Sequence, residues 1–425
     1  MRALFLVCLA STTLVTATAR AQVTAPPPPP AALPNGNFVF GYPTFTPAQS
    51  SVEVTGAFKT LDQFIQGLKD ATTAISPTFD LLLHRIPATL GTDGPTFLLL
   101  SIPSLGVTNQ TFTGATADDT FAQLKAFLTS GSFATQLQRE SARSSPFDPV
   151  AGNPTSLMAR AVAFDFFNAF YPFASNNEDD SGMIAQAGGA LPGGAVRGPF
   201  RPLPGIGAYY GNYHDQGQTT QSITIPLSLT VRSDLDPRRQ FSITLPITVQ
   251  DVDGARAYQG TLGASLRLPL ARDWAITPSV GYSQVRATDL GSAGQIGSAA
   301  LTSAYVFRTD AGDLALGDMI GYYKTLSGTI QGISTGSGIS NTVFRNGLLW
   351  SQKASWVASG TTIEYSLVNT YYAGTELYDR TYTEVGVSLG SNKRADSVRS
   401  YVQGGLTYLF SSKTKGVTAS FAYWF

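Results

Sequence analysis

The chain of 425 residues carries 28 Lys and Arg against 28 Asp and Glu, so no net charge marks it as a nucleic-acid binder. Charged residues make up only 13%, about half the usual share, yet mean hydropathy is just +0.03. The chain contains one cysteine and two histidines, and no stretch of 18 apolar residues follows its N-terminus, which argues against a cysteine or histidine metal centre and against a helical membrane protein.

Residues 1–21 read as a signal peptide: Arg2 leads an apolar stretch to about Val15, and Ala19-Arg20-Ala21 supplies a small-residue cleavage site before Gln22. Cys8 would leave with it, so the expected mature chain has no disulfide. Residues 22–34 form a proline-rich leader, expected to be extended. Residues 35–180 read as a small mixed α/β domain. Phe58, Leu61, Phe64, Ile65, Leu68 and Ile75 recur at helical spacing, as do Phe121, Leu124, Phe127 and Leu128. A third helix is predicted from Ser156, and the run from 95 to 107 suits a buried strand. Residues 181–204 are a Gly/Pro-rich linker.

From 205 to the end the period changes to two. Ile223, Ile225, Leu227, Leu229 and Val231 alternate with polar or small residues, and Phe241, Ile243, Leu245, Ile247 and Val249 repeat the pattern. About eleven such strands follow one another, and the segment 205–215 supplies a twelfth. Most exceed the usual strand mode of about 5–6 residues, and their polar face carries Ser, Thr, Gly and Gln instead of dense Lys and Glu. A tilted strand of about ten residues crosses a hydrophobic band of roughly 25 Å. In lipid, each unpaired edge group costs several kcal/mol, so the sheet must close. The expected fold is an all-β transmembrane barrel of about twelve antiparallel strands, preceded by the small α/β domain.

If the last strand ends at the periplasmic rim, the turns SDLDPR, ARD, TDAGD, ASG and SNKRAD lie inside, and TDLGSAGQ, LSGTIQGISTGSGIS and AGTELYDR lie outside. Outward Trp274 and Trp356 then flank inner turns, and Tyr258, Phe344, Tyr371 and Phe410 flank outer ones. The pleat points Arg232, Arg267, Arg308, Arg345, Lys353 and Arg399 into the lumen, with Glu364 and Glu384. Six basic groups against two acidic ones would favour anions, unless they pair with each other or with an inserted segment.

No catalytic chemistry is expected. His84 reads as a structural residue, His214 and Asp215 point to opposite faces of one strand, and no G-x-S-x-G elbow occurs. The acidic run 176–182 lacks the spacing of a calcium loop. Neither a metal nor a cofactor is called for.

Val417, Ala419, Phe421, Tyr423 and Phe425 share one face of the terminal strand. At Phe421, Tyr423 and Phe425 the chain resembles Gram-negative outer-membrane β-barrel proteins. The resemblance implies an outer-membrane location with lipid as a partner, and a last strand that serves as the signal read by the barrel-assembly machinery. Two branches of the family are similar in size and plan. A porin-like barrel implies passage of small solutes, preferably anions, with the inward arginines as fixed positive charge, and this is the leading expectation. An autotransporter-translocator-like barrel implies an anchor that displays residues 35–180 as an adhesin or binding module. Such translocators usually carry a pore helix immediately before the first strand. Here that place is Gly- and Pro-rich, and only the more distant stretch 156–171 is suited to the role.

Overall fold

The computed structural model describes residues 38–41, 56–74, 78–175, 200–215, 217–233, 238–358, 361–391 and 401–424. The signal peptide, the proline-rich leader, most of the linker, the acidic run 176–182, Arg399 and Phe425 lie outside these residues.

The N-terminal region holds one antiparallel sheet of six strands: β1 (Phe38–Gly41), β2 (Gly56–Phe58), β3 (Phe79–Leu83), β4 (Ile86–Thr92), β5 (Phe97–Ile102) and β6 (Val107–Thr113), in the order β2-β1-β3-β4-β5-β6. Helix α1 (Leu61–Ala74) buries Leu61, Phe64 and Leu68 as their spacing predicts, with Ala71, whereas Phe58 ends strand β2 and Ile75 lies outside the described residues. Helix α2 (Ala117–Thr129) starts at a capping box, in which Thr116 accepts from the Asp119 N–H and the Asp119 carboxylate accepts from the Thr116 N–H. The expected strand at 95–107 is shorter than predicted, because Pro103 opens a single 3-10 turn after Ile102.

Two features give no sequence signal. Helix α3 (Gly131–Ser144) buries Gln138, Ser141 and Ala142 beside Phe133 and Leu137, so its inner face has no apolar period. The β3–β4 hairpin turns on His84 and Arg85, both at positive φ (49° and 67°), a conformation usually taken by Asn or Gly.

The C-terminal half is a closed barrel of twelve antiparallel strands. They are β7 (Phe200–Asp215), β8 (Gln218–Ser233), β9 (Gln240–Val252), β10 (Ala255–Ala271), β11 (Trp274–Ala287), β12 (Ser292–Thr309) and β13 (Gly312–Thr325). After a small hairpin, β14 (Gly328–Ile330) and β15 (Ile333–Thr335), come β16 (Ser340–Lys353), β17 (Thr361–Gly374), β18 (Thr381–Ser391), β19 (Tyr401–Phe410) and β20 (Lys415–Trp424). The twelfth strand, expected over 205–215, runs from Phe200 to Asp215, so residues 200–204 of the expected linker are strand. β7 closes the barrel against β20, with Gly205 opposite Trp424 and His214 opposite Lys415. One difference concerns Trp356. β16 ends at Lys353, and Trp356 lies beyond it in a turn, 75% exposed.

The two faces of every strand differ. Ile223 (55% exposed), Val280 (58%) and Phe421 (52%) belong to an outward apolar belt, whereas the intervening Thr224, Ser279 and Ala422 are buried. A belt of Leu, Ile, Val and aromatic side chains around a closed sheet is stable in hydrocarbon, where no backbone group is left unpaired. The chain is a closed twelve-stranded β-barrel with an outward apolar belt and a small α/β region before it.

Candidate functional site

The lumen is occupied. Helix α4 (Leu157–Ser175), predicted as a helix from Ser156, lies inside the barrel and not in the α/β core. Its course follows from three contacts. Met158 meets Asn341 near one end of β16, Asp165 accepts from the Tyr323 hydroxyl at 2.7 Å, and Phe170 presses on Gly317, six positions farther down β13. Six strand residues span about 20 Å, so the helix runs along the barrel.

The wall is shaped to receive it. Gly347 and Gly317 face inward, and a Cβ on Gly347 would stand 2.6 Å from Cζ of Phe166. Absent side chains on the wall become sockets for the two fully buried rings, Phe166 and Phe170. Polar groups on the same side are matched: Asp165 also accepts from Ser298 at 3.5 Å, and Asn168 donates to Thr244 at 3.3 Å.

A buried turn precedes the helix. Asp148 Oδ1 accepts from the N–H groups of Val150 and Ala151, both at 2.9 Å, and Asn153 Nδ2 donates to the Asp148 carbonyl at 2.7 Å. Burial pushes the Asp148 carboxyl up to about 6 against these hydrogen bonds. Gln250 and Gln259 reach this turn from the barrel wall, donating to the Thr155 hydroxyl and carbonyl at 3.0 and 3.3 Å.

Among the described residues, the N-terminal region docks on the rim that carries the longest connection, between β13 and β16. Gln138 donates to Ser292, the Gly131 N–H donates to Ser334, and the N–H groups of Tyr378 and Asp379 donate to the carbonyls of Ala142 and Gly152. His84 packs beside Leu290, and burial there lowers its pKa to about 4. The opposite rim holds both barrel termini and the tight turns after Ala271 and Thr309.

The residues singled out in the sequence separate into distinct settings. Arg345 is buried, donates to Thr370 Oγ1 at 2.5 Å, pairs with Glu384, and lies 5.3 Å over the Phe166 ring. Glu364 is buried and accepts from Gln403 at 2.6 Å and from Ser388 at 3.3 Å. Arg267 is buried in β10. Arg308 pairs with Asp273 at 2.7 Å beside the turn after Ala271. Lys353 ends β16 in solvent. Arg232 lies in β8, with its side chain outside the described residues. Phe421 faces outward and Tyr423 is half-buried on the same strand. Arg345 and Glu384 are therefore brought together against α4, while Arg308 and Lys353 stand at the rim. His214 bonds Thr219 at 3.0 Å, while the neighbouring Asp215 is buried and accepts from Tyr378 and Thr414.

Sequence reasoning missed Arg160, Asp165 and Tyr323. The available signal was two charges, Arg160 and Asp165, inside the mostly aromatic and aliphatic run from Leu157 to Phe173. One face of α4 remains uncovered. Arg160, Phe164, Phe167 and Tyr171 border a cavity of about 190 Å³, closed opposite by β17–β20, β7 and β8.

No protein-family model and no curated protein matches this chain. Solved structures do match, over half of the chain or a little more. The translocator domain of the autotransporter NalP from Neisseria meningitidis is 12% identical, with 58% of this chain and 94% of that one covered and a TM-score of 0.39. An outer-membrane channel from Pseudomonas putida F1 is 14% identical over 55% of this chain and 98% of that one, with a TM-score of 0.40. The transport unit of the autotransporter AIDA-I from Escherichia coli is 10% identical over 59% and 98%, with a TM-score of 0.32.

Proposed function

We propose that the barrel is an anchor that holds the N-terminal α/β region at the cell surface, with α4 as the tether through the lumen. The course of α4 supports this reading. The helix leaves a turn packed at the loop-bearing rim and passes down the lumen, and the next described residue, Phe200, is at the opposite rim. Nineteen helical residues reach about 28 Å, close to the roughly 25 Å apolar band of such barrels. Longer connections lie on the extracellular side in this architecture, so the docked region faces outward. The paired Arg345 and Glu384 then serve to hold the helix, and contribute little to an open positive channel.

The deciding experiment is protease shaving of intact cells. Digestion of residues 78–144 with the barrel retained supports display. Resistance until the outer membrane is opened defeats it. Solute passage is the second reading, favoured by the cavity beside α4. Planar-bilayer recording of the full chain separates the two, because steady anion-selective steps require a path past the helix.

A further inference from the structure

The uncovered face of α4 has the makings of a binding site that does not depend on which way the barrel faces. Residues 160, 164, 167 and 171 follow one helical stripe, and three of the four are aromatic. A stripe that only met water would be polar. Tyr209 stands edge-on to Phe164 and Phe167, with ring centres 6.3 and 6.2 Å apart, and frames a slot with flat walls. The far side adds hydroxyl and amide groups, among them Ser388 and Gln403.

The carboxylates around the cavity are already engaged away from Arg160: Glu384 pairs with Arg345, and Glu364 accepts from Gln403 and Ser388. Arg160 donates to the Thr155 carbonyl at 3.1 Å and to Thr224 Oγ1 at 3.0 Å, both neutral, and its remaining terminal nitrogen has no acceptor. Among the described residues no carboxylate pairs with it. An unmatched guanidinium in an enclosed space favours an anion, and the aromatic stripe favours a flat apolar body attached to it. We infer that the cavity beside α4 binds a small aryl carboxylate, with Arg160 meeting the carboxylate and Phe164, Phe167 and Tyr209 holding the ring. A volume of about 190 Å³ suits one or two fused rings without expelling the helix.

The test is calorimetric titration of the full chain in lipid nanodiscs with 2-naphthoate, its neutral isostere 2-naphthamide, and acetate. The expected result is saturable naphthoate binding, at least tenfold weaker binding of the amide, and no binding of acetate. Arg160→Gln should weaken naphthoate tenfold or more and leave the amide unchanged, while Arg160→Lys recovers part of the loss. Phe167→Ala, which keeps the charge, should weaken both ring compounds together. Equal binding of naphthoate and naphthamide would reduce the cavity to an apolar void, and acetate binding as well as naphthoate would reduce it to a bare charge. No binding of naphthoate by a correctly folded chain also overturns the assignment. Surface display stands or falls separately, by protease shaving.

Discussion

Phe166 occupies the space that a side chain on Gly347 would need: a Cβ there would stand 2.6 Å from its Cζ. The helix and the wall are therefore a matched pair, and Gly347→Ala should disturb the helix more than the strand. Overpacking of this kind costs about 1–3 kcal/mol. Thermal unfolding of the purified protein should show a lower midpoint for Gly347→Ala, and Phe166→Leu in the same chain should restore part of it. Independent, additive losses in the double variant would mean that the ring and the glycine do not share a socket.

A second buried contact fixes the rotation of α4. Tyr323 donates to Asp165 at 2.7 Å, and the other partner of that carboxylate among the described residues is Ser298, at 3.5 Å. Tyr323→Phe removes the close donor and leaves a buried carboxylate poorly satisfied, a loss of about 1–3 kcal/mol. Asp165→Leu combined with Tyr323→Phe removes both polar ends and should be closer to wild type than Tyr323→Phe alone. The comparison of unfolding midpoints decides it, and a double variant less stable than the single one would contradict the account.

The barrel was legible because period-two alternation is a local signal that survives eleven times over, from Ile223 to Phe421. Even the strand that begins at Phe200 was recoverable, since closure demands an even partner for β20. Where α4 goes was legible only in part: the translocator resemblance offered 156–171 as a pore helix, but the residues alone did not choose. The run from Leu157 to Phe173 reads as an apolar helix in a domain core or in a lumen alike, and the Gly/Pro-rich linker hides its proximity to the first strand. What decides between them is the inward row of wall residues, Arg345, Gly347 and Gly317, whose small members mean something only beside Phe166 and Phe170. The charge reading failed to separate settings for a related reason. A strand pattern gives the face of Arg345 or Arg308, but not the partner, which for Arg308 is Asp273 across a turn.

Two groups at the docking rim, the half-buried His84 and the buried Asp148, titrate with opposite sign. His84 is lowered to about 4 by burial, so the unfolded chain binds its proton more tightly. Its contribution is complete above the ordinary value of about 6.5 and is lost as pH falls toward 4. Asp148 is raised to about 6 by burial, so the folded chain binds its proton more tightly, and its contribution is lost as pH rises from about 4 to 6. His84→Gln should flatten the acid-side loss of stability, and Asp148→Asn should raise stability above pH 6 while still accepting from the N–H groups of Val150 and Ala151. Unfolding midpoints between pH 4 and 7 measure both. Unchanged pH profiles in both variants would show that neither group is sequestered in the folded protein.

Arg345 and Glu384 give the sharpest test of whether the lumen charges secure the helix or serve solutes. Arg345 is enclosed between Glu384, Thr370 and the Phe166 ring, with its side chain 6% exposed, so the pair is buried on the arginine side. Removing one partner of such a pair costs about 3–5 kcal/mol because the other charge is stranded, whereas replacing both with apolar groups of similar size is near neutral. Arg345→Met should therefore lower the unfolding midpoint strongly, and Arg345→Met with Glu384→Met should recover most of the loss. If the arginine instead serves passing anions, Arg345→Met would leave stability nearly unchanged and reduce anion conductance. A large midpoint shift with no conductance in wild type or variant would assign the pair to the anchor.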